Sequence, residues 1–207
     1  SFIVLMFGQK KAKISRQIKV HLPTKYGDFS LTAYQDENDM EHLALTKWSW
    51  NEDSPVLVRL HSSCMTGDLF GSLRCDCGDQ LGHALKLIED EWSGALIYLN
   101  QEWRGIGLLN KLKAYQIQEE GYDTVEANEK LGFPPDMRDH SLGVAILEDL
   151  GIKKLRLITN NPKKSEAVEK YGLELVENVS IECGSNTHNK AYLETKREKL
   201  GHKIKKL

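Results

Sequence analysis

The sequence predicts one α/β (α+β) domain, a mixed β-sheet with flanking helices and an antiparallel N-terminal hairpin. Three observations predict it. From residue 55 onward, short aliphatic runs alternate with longer amphipathic segments. Before that, the chain is turn-rich and reads as paired strands. No repeat, low-complexity tract or linker composition interrupts its 207 residues.

The elements follow in order. The opening SFIVLMFGQKKAK has a short apolar run, but its basic residues follow the run and it lacks a small-residue cleavage site. It is therefore not read as a signal peptide, and residues 1–21 are taken as a leader segment. YGDFSLTAYQDENDMEHLALTKWSW then reads as a hairpin closed by the turn-rich Asp36, Glu37, Asn38 and Asp39. PVLVRLH (55–61), GALIYLN (94–100), KKLRLIT (153–159) and LELVE (173–177) read as strands.

Between them, DQLGHALKLIEDEW puts Leu81, Ala84, Leu85, Ile88 and Trp92 on one helical face. GLLNKLKAYQIQEE does the same with Leu108, Leu109, Leu112 and Tyr115. SLGVAILEDLG is a third helix, with Ser141 as its cap and Gly151 as its stop. The tail KREKLGHKIKKL is locally basic and reads as a solvated terminal segment, its last residues 204–207 a basic tail.

Charge is nearly balanced, 28 basic against 30 acidic residues, and 40% of residues are hydrophobic. That composition suits a soluble cytoplasmic protein and gives no electrostatic case for nucleic acid or a membrane surface. No stretch approaches the ~20 apolar residues of a membrane-spanning helix.

Three of the four cysteines fall within SSCMTGDLFGSLRCDCGDQ, residues 62–80. On an extended strand, Cys75 and Cys77 would present both sulfurs to one side, with Asp76 pointing away. A loop containing Gly67 and Gly71 can bring Cys64 back to meet them. Three thiolates around Zn²⁺ leave one tetrahedral position open, as in a catalytic site. A closed structural site would need a fourth ligand, for which His61 is the near candidate; buried reduced thiols without metal are the plainer alternative. Cys183 stands apart as a lone thiol.

A second constellation spans residues 100–143, where Gly105 and Gly107 open a helix beside Arg104 and suggest an anion-binding nest. Taken with RLHSSCMTGDLFGSLRCDC and LITNNPKK, this segment closely resembles the GTP cyclohydrolase II family across residues 22–203, in order and spacing. The resemblance implies a catalytic domain over that range. It also implies an enzyme that converts GTP to formate, pyrophosphate and a diaminopyrimidine ribosyl phosphate at the first step of riboflavin biosynthesis.

Under the resemblance, Cys64, Cys75 and Cys77 are zinc ligands, and Mg²⁺ assists at the phosphates. Arg59, Leu60, His61, Ser62, Ser63, Gln80, Glu102, Trp103, Arg104, Thr124, Thr159 and Lys164 fall on nucleotide contacts. Asp136 falls on the proton acceptor, Arg138 on the residue acting at the α-phosphate, and Tyr115 on a tyrosine important for ring opening. A homodimer is implied as well. The residue types suit the chemistry: a carboxylate such as Glu102 can accept from the N1 and N2 donors of guanine and reject adenine. Because a guanidinium stays protonated, Arg138 is read as stabilising charge at phosphorus.

Three positions depart from the family pattern. Asn100 replaces an arginine, Trp103 a glycine, and Ser63 a glutamate. A glycine serves where a ligand approaches the backbone or φ is positive. An indole there would stack on a purine or occupy nucleotide space. Two alternatives follow: a paralogue with altered nucleotide preference or an incomplete reaction, and a catalytically silent nucleotide-binding protein.

Overall fold

The computed structural model describes residues 12–51, 53–134 and 136–205. Among these residues, seven strands form one sheet in the order β1-β2-β3-β5-β4-β6-β7. These are β1 (Ile14–Thr24), β2 (Gly27–Asp36), β3 (Glu41–Lys47), β4 (Val56–Ser62), β5 (Gly94–Leu99), β6 (Lys154–Ile158) and β7 (Glu174–Val179). β1, β2, β3 and β5 pair antiparallel; β5, β4, β6 and β7 pair parallel. The mixed sheet and the hairpin agree with the sequence reading. Residues 14–21, read there as leader, form most of β1, and residues 1–11 lie outside the described range.

The helices are α1 (Met65–Asp68), α2 (Cys77–Asp90), α3 (Leu108–Glu119), α4 (Thr124–Lys130), α5 (Ser141–Asp149), α6 (Pro162–Lys170) and α7 (Lys190–Glu198). Among the described residues, no helix is long and apolar enough to cross a membrane.

β4 shows how the core positions the site. Its alternate residues serve opposite faces. Val56, Val58 and Leu60 join Ala95, Ile97 and Leu99 of β5 against α5, while Leu57 packs with Leu96 against Ala84, Leu85 and Ile88 of α2. A strand buried on both sides must be a nearly continuous apolar run. The chain leaves β4 towards α2 on one face and leaves β5 towards α5 on the other. That divergence opens a crevice at the carboxyl ends of the parallel strands, the usual ligand position in such sheets.

Several local expectations are corrected. Trp92 lies beyond the end of α2 with a φ of 56° and is mostly exposed. Ser141 is not the cap of α5: the Asp139 side chain accepts from its N–H at 2.8 Å, and Ser141 itself is buried. On α3 the buried positions are Lys111 and Ala114, while Leu109 and Leu112 face outward. The apolar pattern misplaces that face because a lysine is drawn inward by charged partners.

Candidate active site

Cys64 precedes α1 directly after β4, and Cys77 is the first residue of α2. Their sulfurs and that of Cys75 all lie within 4.8 Å of one another, and they form the only such ligand group among the described residues. Cys75 and Cys77 are not on a strand, as the two-residue spacing suggested; Asp76 between them is the residue before α2. It does point away from the thiols. Its carboxylate accepts from Lys196 Nζ at 2.7 Å and from Gln80 Nε2 at 2.6 Å.

The thiols sit in a space that a side chain would fill. A Cβ on Gly67 would stand 2.8 Å from Cys75 Sγ and 3.1 Å from Cys64 Sγ. His61 is not a fourth member of the group: its Nε2 lies 3.2 Å from both oxygens of Asp68. Asp68 also accepts from the Cys64 backbone N–H at 2.9 Å and from Tyr98 Oη at 2.8 Å, so it fixes the turn carrying Cys64. Three sulfurs with no fourth protein ligand among the described residues suit a metal that keeps an exchangeable position.

Lys111 is fully buried, its Nζ 3.1 Å from Cys64 Sγ and 2.7 Å from Glu102 Oε1. Hydrogen bonds from Cys75 and Cys77, and the nearby lysine, push the Cys64 thiol well below its ordinary pKa; donating to it pushes Cys77 up, and Cys75 up to about 11. Cys64 is therefore the first thiolate of the three. Glu102 Oε2 accepts from the Met65 N–H at 2.7 Å.

One cavity contains the three thiols together with Arg59, His61, Ser62, Ser63, Gln80, Glu102, Trp103, Arg104, Arg138, Thr159 and Lys164, among other residues. Period-two alternation explains why Arg59 and His61 face it while the Leu60 side chain is buried in the core on the opposite side of the sheet. Leu60 contributes its carbonyl, which accepts from Lys164 Nζ at 2.6 Å. Thr124 is not among the cavity's residues; its hydroxyl accepts from Gln118 Nε2 where α3 meets α4. Tyr115 is likewise off the cavity wall, its hydroxyl 3.4 Å from Thr66 Oγ1, which lies 3.8 Å from Cys64 Sγ.

The wall is cationic. Burial, then the Arg59, Arg138 and Lys196 charges, push the Lys164 ammonium well below its ordinary pKa. An anion entering here would restore it. On the same wall, Arg59 Nε, His61 Nδ1, Ser62 Oγ, Ser63 Oγ and Gln101 Oε1 are buried without a hydrogen-bond partner. Buried polar atoms of that kind normally find one.

Asp136 and Arg138 form a two-pronged pair, Nε to Oδ1 at 2.9 Å and Nη2 to Oδ2 at 2.6 Å. Burial raises the Asp136 pKa, but the guanidinium outweighs it and holds the carboxyl well below the usual range. A carboxylate with a depressed pKa stabilises the fold above the ordinary carboxylate pKa, and that contribution is lost as pH falls below it. Arg138→Gln is therefore expected to lower the urea midpoint most near neutral pH, with the deficit shrinking below about pH 4. A deficit that stays constant across that range would contradict the pairing.

Trp103 and Arg104 lie in a 3₁₀ turn (Glu102–Gly105) with left-handed φ of 45° and 56°. That backbone accounts for the glycine usual at position 103. The indole N–H donates to Asn128 Oδ1 at 3.0 Å, and the ring meets Tyr115 at right angles. It is thus anchored in a small apolar cluster with Ile106, Ala114 and Ala127. Asn100 lies outside the cavity, donating to His42 Nδ1 and Met40 Sδ. The expected anion nest is engaged already, since the Ile106 and Gly107 N–H groups donate back into the turn.

Sequence reasoning missed Lys111, Asp68, Tyr192, Lys196 and His202. The signal for Lys111 was a charge on a helix whose apolar residues could not all face inward. For Lys196 and His202 it was the basic tail, read as solvated; Tyr192, just before that tail, carried no signal.

A family model described as GTP cyclohydrolase II matches residues 15–180. The chain is 55% identical over 203 residues to the riboflavin biosynthesis protein RibBA of Chlorobium phaeovibrioides, covering 97% of this chain and 50% of that protein. With RibBA of Cytophaga hutchinsonii it shares 58% over 194 residues, covering 93% and 48%. With that of Aquifex aeolicus it shares 53% over 196 residues, covering 94% and 48%. The chain thus spans about half the length of the curated relatives it matches.

Proposed function

Since the chain belongs to the GTP cyclohydrolase II family, we propose that it is a zinc-dependent hydrolase that opens the imidazole ring of GTP. It releases formate and pyrophosphate and leaves a diaminopyrimidine ribosyl phosphate, at the start of riboflavin biosynthesis. The observation that carries this reading is a single cavity with a three-thiol cluster and a wall of buried cations. The reading includes Mg²⁺ on the phosphates and a cytoplasmic homodimer.

Cys64, Cys75 and Cys77 would hold the zinc, which when bound supplies a Lewis acid for hydrolysis at guanine C8. Glu102, oriented by Lys111 and the Met65 N–H, accepts from the guanine donors. Arg59, Arg104 and Lys164 neutralise the triphosphate. Asp136 is a poor base while Arg138 grips it. When phosphate oxygens take the Arg138 guanidinium, the carboxylate is released and its proton affinity rises. Tyr115 stands beside the thiols through Thr66 and holds its proton, because burial raises its pKa.

The thiol set, the Asp136–Arg138 pair and Tyr115 together favour turnover over silent binding. The Asn128 anchor on Trp103, which still lines the cavity, supports the ordinary reaction over an altered specificity. The test is zinc-loaded protein incubated with GTP and Mg²⁺, products resolved by mass spectrometry. Formate, pyrophosphate and the diaminopyrimidine phosphate are expected in equal amounts. Recovery of intact GTP, or of a formylated triphosphate as end product, would sink the reading.

A further inference from the structure

Part of the basic C-terminal stretch is drawn out of solvent: Lys196 is buried and His202 half-buried, while Arg197, Lys199, Lys203 and Lys205 stay exposed. α7 begins beyond the residues the family model matches, yet it folds back onto the cavity and contributes Tyr192 and Lys196 to its wall, with His202 just after it. Lys196 is buried although it is charged. One backbone bond holds the segment there, Lys203 N–H donating to the Asn160 carbonyl at 2.9 Å, and another closes the turn after α7, His202 N–H donating to the Lys196 carbonyl at 3.0 Å. Asn160 lies on the loop between β6 and α6 beside Thr159, and Lys164 follows in the first turn of α6.

Lys196 links the two ends of the site. Its Nζ donates to Asp76, Asp76 accepts from Gln80, and Gln80 accepts from Arg59. One continuous chain therefore joins α7, the residue between two of the thiols, and the cationic wall.

Among the described residues, Arg59, Arg104, Arg138, Lys164 and Lys196 line this cavity; Arg138 is paired with Asp136 and Lys196 with Asp76, while the lining carboxylate Glu102 is engaged by Lys111. The side chains of Arg59 and Lys164 donate to neutral oxygens: the Ile158 carbonyl and Gln80 for the first, the Leu60 carbonyl for the second. Two buried cations held only by neutral oxygens, Arg59 and Lys164, beside the paired Lys196 and Arg138, are costly unless a multiply charged anion sits among them. His202 registers the same field: burial, then the Lys196, Lys164, Arg138 and Arg104 charges, lower its pKa to about 3.

We propose that α7 is part of the nucleotide site and that Lys196 is a ligand of the polyphosphate, with Tyr192 and His202 completing the wall. This rests on the functional reading above and extends it to a segment and three residues that reading does not use. The short ammonium reach to Asp76 makes Lys196 a hinge between phosphate recognition and the thiol loop.

The test is calorimetric titration of the zinc-loaded full chain with two separate probes, inorganic triphosphate and guanosine, in wild type and three variants. Lys196→Gln keeps a donor for Asp76 and removes the charge. Lys196→Met removes both, and Lys196→Arg restores the charge. Loss of one charge-assisted contact is expected to weaken triphosphate binding about tenfold or more in Lys196→Gln and Lys196→Met. Guanosine binding should change by less than about twofold, and Lys196→Arg should stay within about threefold of wild type for both. Equal weakening of both probes in Lys196→Gln would reduce Lys196 to a structural prop for Asp76 and overturn the proposal. Unchanged triphosphate binding would overturn it too. If wild type itself binds neither probe, the functional reading fails and the proposal falls with it; if wild type binds both, only the proposal is at stake.

Discussion

Replacing Lys111 with methionine is expected to lower the melting temperature by roughly 6–20 °C and to weaken zinc binding. Lys111 Nζ is the cation shared by Glu102 Oε1 and Cys64 Sγ, and the side chain is fully buried. Removing one partner of a buried charge set costs about 3–5 kcal/mol, because the remaining charges stay out of water without compensation. For a chain of this length each kcal/mol moves the midpoint by about 2–4 °C. Three thiolates around a dication also carry one net negative charge, which the ammonium neutralises. Lys111→Arg should recover part of the loss, since the charge remains and the fork is larger. Calorimetry and zinc titration against a chromophoric chelator read both effects. A midpoint within ~2 °C of wild type with unchanged zinc affinity would show that the site tolerates the loss of the cation.

Gly67→Ala is expected to weaken zinc binding about 10–100-fold, the range for losses in the shell that orients metal ligands. The glycine is not there for its backbone. Its value is the missing Cβ, which would press on Cys75 and Cys64 Sγ and on Cys77 Cβ, 3.1 Å away. The thiols could retreat only by turning out of the arrangement that brings all three together. Gly184→Ala is the control, because a Cβ there meets nothing within 4 Å. Chelator competition on both variants separates the cases. Equal affinities would mean that the thiol cluster adapts to the extra methyl and that the cradle is loose.

Strands β4 and β5 were legible in the sequence because each is buried on both faces, and a doubly buried strand must be a short aliphatic run. The hairpin was legible because its turn residues are polar and clustered. β1 was not, since exposed and half-exposed positions dominate it and no alternation marks a strand that lies at the sheet edge. α4 was missed for a related reason: seven residues held by an Asp123–Glu126 capping box show little apolar period.

The thiol spacing, the glycine between the first and second cysteines and the Asp136–Arg138 pair were all legible as candidate chemistry. Those features depend on residue type and short separations, which a chain carries locally. What local separations could not reveal was which charged groups would share a buried space. Lys111 meets Cys64 across 47 positions and Lys196 meets Asp76 across 120. A lysine reads as solvated until a carboxylate or thiolate from a distant segment is folded against it. The inward turn of α3, the anchoring of Trp103 and the return of α7 to the cavity all follow from such long-range pairing, because desolvating a charge is favourable only once the fold has supplied its partner.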